Sequence, residues 1–338
     1  KNNSIWYMII PMLVDIFNRK INYIRISVTD RCDLRCNYCM KEKMEFLPKS
    51  EILTLEQIER LSEIFISQGV EKIRLTGGEP LVRKNIMELI NNLGKKIKKS
   101  NLKELTLTTN GTQLEKYAQG LKNAGVKRIN ISLDTLKKDK YHQITRGGDI
   151  DKVLNGINEA LNCKLKVKLN VVALKNFNEN ELIDIVNWSS QKGMDITFIE
   201  VMPMGETDQH RSEQFLPLNL IEEKLKSELK LAETNYKSGG PARYYINGNT
   251  KIGFITPLTQ NFCENCNRMR ITCTGKLYMC LGQEKFIDFK KLLTEDHSNE
   301  AILNKIYESL KFKPKGHDFL INKEVKPYMK RFMNTTGG

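Results

Sequence analysis

The sequence predicts an α/β protein whose main part is a partial, open barrel of TIM type with six strand–helix units. Short apolar runs alternate with segments of helical period up to about residue 205, which is typical of parallel strands joined by helical crossovers. Glycines at Gly69, Gly125 and Gly193 stand where helices commonly end before the next strand. Six units are too few to close an eightfold barrel, so we expect an open one.

The six strands are predicted as the apolar runs, and the helices as the amphipathic segments between them. Thr54 and Gln57 have the spacing of a capping box, which predicts the start of the first helix. Strands are predicted at about 23–28, 72–75, 104–108, 128–133, 166–172 and 195–199, with helices at about 54–68, 84–99, 113–124, 151–162 and 179–192.

The strand–helix rhythm ends after Met202 and Pro203. We therefore predict a barrel domain over 12–205 and a smaller C-terminal α+β domain over 206–338. The apolar run at 5–14 is short and lacks a small-residue cleavage site, so we do not interpret it as a signal peptide. With Met12 as the natural start, residues 1–11 are interpreted as an upstream extension. No stretch is long and apolar enough to span a membrane, and we expect no membrane partner.

The chain has 338 residues and a net charge of +14, which raises the question of an anionic partner. The lysines are scattered, including Lys311, Lys313 and Lys315 in the tail, and no basic run alternates with aromatic residues. We interpret most of the charge as a composition bias. A metal-stabilised nucleic-acid-binding protein is the alternative from another class, but the pattern of stacking aromatics that it needs is missing.

Six of the eight cysteines form two triplets with short spacings. Each triplet offers three thiolates, one fewer than usually hold an iron–sulfur cluster, so each metal centre would keep an open position for another molecule. Such spacing in a long chain favours metal binding in a reducing cytoplasm over disulfides. A zinc loop at the first triplet and closure of the second by Cys273 remain alternatives. The first triplet is Cys32, Cys36 and Cys39; the second triplet is Cys263, Cys266 and Cys280.

Two further motifs accompany the triplets. Gly77 and Gly78 end the second predicted strand, where glycines allow a close approach of backbone to a ligand. Arg268 and Arg270 lie two apart just after Cys266, so on a strand they point to one face and suit a polyphosphate. A solvated basic face is the alternative for the arginine pair.

The cysteine loop after the first strand and the following Gly-Gly-Glu-Pro motif resemble the radical S-adenosylmethionine (SAM) superfamily. With the block from Arg25 to Cys32, the arginine pair after Cys266 and the terminal Gly-Gly, the chain resembles the members of that superfamily that cyclise GTP in the first step of molybdenum cofactor biosynthesis. The resemblance runs from about Met12 to Gly338.

This resemblance implies two [4Fe–4S] clusters, held by the two cysteine triplets, with SAM on the first and GTP at the second. It implies catalytic roles for Arg268, Arg270, Gly337 and Gly338. It further implies SAM contacts from Tyr38, Gly78, Ser132 and Met202, and GTP contacts from Arg25, Arg74, Thr108, Lys168, Arg268 and Arg270.

The implied activity is that of a lyase: reductive cleavage of SAM, abstraction of the C3′ hydrogen of GTP, and attack of C3′ on C8 of guanine. The implied partners are an electron donor of reductase or flavodoxin type and a downstream pyranopterin monophosphate synthase; a homodimer is allowed, and no nucleic acid is expected. The alternative enzyme is another radical SAM protein with an auxiliary cluster, such as a peptide-modifying one. The arginine pair and the terminal Gly-Gly argue against it.

Overall fold

The structure, a computed structural model, describes residues 12–207, 210–260, 262–295, 297–317, 319 and 329–337. The predicted extension at residues 1–11 and the terminal Gly338 lie outside these residues. Within them, the strands form one open twelve-stranded sheet in the order β12-β11-β10-β1-β2-β3-β4-β5-β6-β9-β8-β7.

The strands, numbered along the chain, are β1 (Tyr23–Ser27), β2 (Lys72–Thr76), β3 (Glu104–Thr109), β4 (Arg128–Ser132), β5 (Lys166–Ala173), β6 (Asp195–Glu200), β7 (Ala232–Glu233), β8 (Arg243–Asn247), β9 (Thr250–Ile255), β10 (Arg268–Ile271), β11 (Lys276–Tyr278) and β12 (Phe286–Asp288). The helices are α1 (Leu55–Ser67), α2 (Ile86–Lys96), α3 (Leu114–Asn123), α4 (Lys138–Thr145), α5 (Ile150–Asn162), α6 (Leu182–Gln191), α7 (Arg211–Gln214), α8 (Leu218–Leu229), α9 (Phe289–Thr294), α10 (Asn299–Leu310) and α11 (Met333–Thr336).

The predicted six-unit open barrel is confirmed. Strands β1 to β6 lie side by side in chain order and are all parallel, and each matches its predicted bounds to within a residue at its C-terminal end. The capping box of α1 is also present, with the Thr54 side chain accepting from the Gln57 N–H. Sequence patterning missed α4, which has many polar residues and a weak apolar face.

The C-terminal part of the chain extends the barrel at both edges. Strand β10 pairs in parallel with β1, and β9 pairs in parallel with β6, so eight consecutive strands of the sheet are parallel. Antiparallel partners then complete each edge. The sequence could not predict these pairings, because both strands are short and belong to local hairpins. Which edge of the sheet each hairpin joins depends on its pairing with strands far away in the chain.

The alternation of side chains along each strand separates the core from the site. Ile73 and Leu75 of β2 are buried in one hydrophobic cluster with Ile58, Leu61 and Phe65 of α1. Residues between them on the strand point to the opposite face, inside the barrel. No helix in the described part of the chain is both long and apolar enough to cross a membrane.

Candidate active site

A cavity lies inside the barrel and opens to solvent. Among the described residues, every predicted site residue except Gly337 lines it. The structure thus brings together Arg25, Cys32, Cys36, Tyr38, Cys39, Arg74, Gly78, Thr108, Ser132, Lys168, Met202, Cys263, Cys266, Arg268, Arg270 and Cys280.

The first triplet lies on the loop that follows β1. Burial raises the pKa of the Cys36 thiol, and it raises the pKa of Cys39 to about 11. A bound metal deprotonates coordinating thiols, so these sulfurs suit a site completed by metal rather than free thiolates. Tyr38 between them donates its hydroxyl to Asp134 Oδ2 at 2.7 Å, which fixes the ring at the cavity wall.

The second triplet is assembled from two elements. Cys263 and Cys266 precede β10, and Cys280 follows β11. Burial would raise the pKa of Cys266, but Arg268 and Lys313 outweigh it and lower the pKa to about 7. Cys273 is buried away from this triplet, near Ser27, Asp30 and Arg83, and burial raises its pKa to about 12. The alternative in which Cys273 closes the second site therefore has no support in this geometry.

Among the described residues, no three His, Cys, Asp or Glu side chains converge closely enough to hold one metal ion. An iron–sulfur cluster does not require such convergence, because its cysteines bind different irons around a larger group. The donor set of each triplet, three cysteines facing one cavity, fits a cluster with one iron left open.

A row of three arginines crosses the sheet beside the second triplet. Arg270 of β10, Arg25 of β1 and Arg74 of β2 are direct register partners on adjacent parallel strands. Neighbouring strands lie about 4.8 Å apart, so three guanidinium groups occupy one face at close range. We call these three residues the arginine row.

Among the described residues, no carboxylate forms an ion pair with the arginine row. Burial, followed by the charges of Arg270 and Arg74, lowers the pKa of Arg25 well below its ordinary value. Burial lowers the pKa of Arg270 to about 10. The Nε atoms of Arg25 and Arg74 are buried with no hydrogen-bond partner among the described residues, and so is the Thr108 hydroxyl. Buried charges of one sign are costly without a partner, so the arrangement fits a polyanionic ligand.

Sequence reasoning missed the cations and aromatics next to this row. Lys72 lies two residues before Arg74, lines the cavity and contacts Glu104 at 2.9 Å. Tyr23 lines it two residues before Arg25; burial would raise its pKa, but Arg74, Arg25 and Lys72 together lower the pKa to about 8. The period-two spacing from the predicted arginines was the available signal, since it places both residues on the cavity face.

Lys168 faces the same cavity from β5. Its side chain is buried, and its Nζ lies 3.1 Å from the Tyr244 hydroxyl. Burial, then the charges of Arg74 and Arg128, lowers the pKa of Lys168 well below its ordinary value. Lys168 therefore faces the cavity rather than solvent, and it adds a basic group to the end that holds the arginine row.

The glycine pair at the end of β2 packs against the loop that leads into the first triplet. A Cβ built on Gly78 would lie 2.2 Å from the Arg31 carbonyl oxygen and 2.7 Å from that of Asp30. The Gly78 N–H also donates to the Thr29 carbonyl at 2.8 Å. Gly78 is thus required for close loop-on-loop contact, a reason that adds to the predicted approach of a ligand.

Gly78→Ala is expected to destabilise the protein, because backbone atoms rather than a flexible side chain obstruct the new methyl group. Overpacking of this kind costs about 1–3 kcal/mol. Gly240→Ala is the matched control: Gly240 also lines the cavity, but the nearest atom to a Cβ at that position would be the Ser238 hydroxyl oxygen at 3.5 Å. Thermal unfolding should show a lower midpoint for Gly78→Ala alone, and equal midpoints would contradict the packing role.

The C-terminal segment reaches the arginine row. Arg270 donates from Nη1 to the Gly337 carbonyl, and Asn334 donates to the Asp30 carbonyl at 2.8 Å. A Cβ on Gly337 would lie 2.2 Å from Thr76 Cγ2, so the segment passes where only glycine fits. Gly337 therefore adjoins the cavity without lining it, and Gly338 lies outside the described residues.

The cavity can be compared with known proteins. Residues 26–189 match the radical SAM superfamily, and residues 194–319 match the family described as Molybdenum Cofactor Synthesis C. The crystal structure of Streptococcus suis SuiB bound to S-adenosylmethionine has a TM-score of 0.60 at 15% identity, covering 87% of this chain and 67% of that one. The crystal structure of SuiB bound to its precursor peptide SuiA has a TM-score of 0.61 at 15% identity, covering 93% of this chain and 76% of that one. At this identity the likeness shows the fold alone.

Fold, cysteine loop and family matches together define a radical SAM protein with a molybdenum cofactor synthesis region at its C-terminus. GTP 3′,8-cyclase of Mesorhizobium japonicum is 54% identical over 329 residues, covering 96% of this chain and 99% of that protein. GTP 3′,8-cyclase of Brucella canis is 53% identical, covering 96% of each. The chain belongs to the GTP 3′,8-cyclase family. These relatives favour that family over the peptide-modifying alternative.

Proposed function

We propose that this protein is a lyase that converts GTP to (8S)-3′,8-cyclo-7,8-dihydroguanosine 5′-triphosphate, the first step of molybdenum cofactor biosynthesis. The observation that carries the proposal is the arginine row, whose guanidinium groups share one face of a cavity lined by both cysteine triplets. Membership of the GTP 3′,8-cyclase family supports the same assignment.

The first triplet, Cys32, Cys36 and Cys39, would hold the [4Fe–4S] cluster that binds SAM. When bound, the cluster and SAM together would supply the one-electron chemistry that starts the reaction at C3′ of GTP. Tyr38, Gly78, Ser132 and Met202 would contact SAM, and all four line the cavity. The Tyr38–Asp134 hydrogen bond fixes the orientation of the aromatic ring, which would lie beside SAM.

The second triplet, Cys263, Cys266 and Cys280, would hold the other [4Fe–4S] cluster, with its open iron toward the guanine base. Arg25, Arg74, Lys168, Arg268 and Arg270 would bind the triphosphate through charge-assisted hydrogen bonds, with Thr108 as a neutral contact. Fixing the nucleotide between the two cofactors removes most of the orientational freedom that C3′ and C8 would otherwise have.

Arg268, Arg270 and the terminal glycines would complete the catalytic machinery. The hydrogen bond from Arg270 to the Gly337 carbonyl would couple the C-terminal segment to the triphosphate end of the cavity. A segment without side chains can enter this space and exclude water from the reacting carbons. We propose this role for Gly337 and, by continuation of the chain, for Gly338.

We further propose that the chain acts as a barrel domain to residue 205 and a C-terminal domain after it. The thiolate-rich sites suit the reducing cytoplasm, where we place the protein. We expect a reductase or flavodoxin-type electron donor and a downstream pyranopterin monophosphate synthase as its partners, and a homodimer is compatible with the proposal.

The proposal is tested by anaerobic turnover of the cluster-reconstituted protein with SAM, dithionite and either GTP or ATP. We expect 5′-deoxyadenosine to rise with GTP alone, together with an equal amount of cyclised nucleotide. Cleavage of SAM that does not depend on GTP would retain the radical SAM class but overturn the substrate.

A further inference from the structure

Lys313 is buried beside the second triplet, although the sequence suggests one more solvated lysine of a basic tail. Lys313 is 2% exposed, and its Nζ lies 3.4 Å from Cys266 Sγ. The same Nζ donates to the Arg268 carbonyl at 2.9 Å and to the Met279 carbonyl at 2.8 Å. These three acceptors match in number the three hydrogens of an ammonium group.

The buried ammonium has an unusual set of partners. No carboxylate in the part of the chain that the structure describes is hydrogen-bonded to it, and its acceptors are two neutral carbonyls and one sulfur. A buried charge is costly unless an opposite charge or a full set of hydrogen bonds compensates it. A cluster with anionic thiolates would supply that opposite charge.

Lys313 also joins the two protein segments that carry the second triplet. Arg268 follows Cys266 by two residues, and Met279 immediately precedes Cys280, so one side chain connects both segments. Arg19 makes a different connection, between the Cys263 segment and the chain that follows Lys313, and the hydrogen bonds that form it involve no sulfur. It pairs with Asp15 at 2.6 Å and donates to the Cys263 carbonyl at 2.8 Å and to the Pro314 carbonyl at 2.6 Å.

We propose that Lys313 is a positioning residue for the second cluster and that it sets the reduction potential of that cluster. The proposal rests on the proposed function, in which Cys263, Cys266 and Cys280 hold the cluster. Reduction adds one electron to the cluster and breaks no bond. A hydrogen-bonded ammonium at a ligand sulfur stabilises the added negative charge, because hydrogen bonds to the sulfurs and local charge raise cluster potentials.

The test uses the full chain with Cys32, Cys36 and Cys39 all replaced by alanine, so that only the second cluster remains. In this background, Lys313→Met replaces the ammonium by a neutral side chain of similar length. A redox titration followed by electron paramagnetic resonance should show the reduced-to-oxidised ratio at a fixed potential falling about tenfold, a shift of about 59 mV to more negative potential for a one-electron couple. Lys313→Gln, which keeps a donor but loses the charge, should shift the potential less.

Two controls separate this effect from general damage. Lys311→Met makes the same change at an exposed side chain two residues away, and it should leave potential and iron content unchanged. Arg19→Met removes the other connection, so it should speed the loss of iron to a chelator without moving the potential.

The outcomes distinguish the inference from the assignment beneath it. Lys313→Met and Lys313→Gln clusters with the parent potential would overturn the inference while leaving the cluster assignment intact. A shift for Lys313→Met that Arg19→Met reproduces would overturn it too, because the effect would then be a loosening of the site. A parent protein that binds no iron after the triple alanine change would overturn the assignment of the second cluster, and the inference with it.

Discussion

Replacing Arg25 by methionine is expected to weaken GTP binding about 100-fold and to stabilise the nucleotide-free protein. Arg25 lies between Arg74 and Arg270 in the arginine row, and its Nε has no hydrogen-bond partner among the described residues. Removing a buried charge that pairs with a ligand charge costs about 2–5 kcal/mol of binding free energy. In the absence of ligand, the same change relieves repulsion between like charges, so the unfolding midpoint should rise.

Equilibrium binding of GTP and thermal unfolding without nucleotide measure the two effects separately. Lys166→Met is the matched control, since Lys166 is a strand cation with an exposed side chain, and it should change neither quantity. An Arg25→Met protein that is less stable and binds GTP normally would show that the guanidinium supports the sheet rather than a ligand. A substitution that weakens ligand binding while it raises the stability of the free protein is typical of a site whose residues are arranged for function at the expense of stability.

Replacing Cys280 by alanine is expected to halve the iron content and abolish GTP cyclisation. Two four-iron clusters give about eight irons per chain, and loss of the second leaves about four. Cys280 lines the cavity with Cys263 and Cys266, whereas Cys273 is buried outside that lining, with Ser27 as its side-chain hydrogen-bond partner. Iron and sulfide analysis after anaerobic reconstitution measures the first effect, and product analysis measures the second.

Cys273→Ala provides the matched control, since it removes a buried cysteine from the same region. We expect the Cys273→Ala protein to retain both clusters and its activity. If Cys273→Ala lost as much iron as Cys280→Ala, Cys273 would be a cluster ligand, and the second cluster would have no open position for a substrate.

The strands and the cysteine sites could be predicted from the sequence because their signals are local. Each of β1 to β6 is an apolar run bounded by a helix with a recognisable start or end, and each cysteine spacing is complete within a short segment or a hairpin. The inward direction of Arg25 and Arg74 followed from the period of two along a strand, once the strand bounds were known.

The arginine row itself could not be predicted, because it depends on long-range register. Nothing local to β10 indicates that it pairs in parallel with β1, from which it is more than 240 residues away in the chain. Lys313 is the clearest case: in the sequence it resembles its neighbours Lys311 and Lys315, and only the packing of the segment after α10 buries it on Cys266. Burial of a single charge in a polar segment leaves no periodic signal.

The most direct test of the account uses GTP carrying deuterium at C3′ in an anaerobic turnover with SAM and dithionite. Both triplets and the arginine row face one cavity, so the ribose of bound GTP should lie within contact of SAM, and hydrogen should pass directly between them. We expect the deuterium to appear in 5′-deoxyadenosine, in an amount equal to the cyclised nucleotide. Deuterium that stays in the nucleotide while 5′-deoxyadenosine accumulates would contradict a shared cavity for the two molecules.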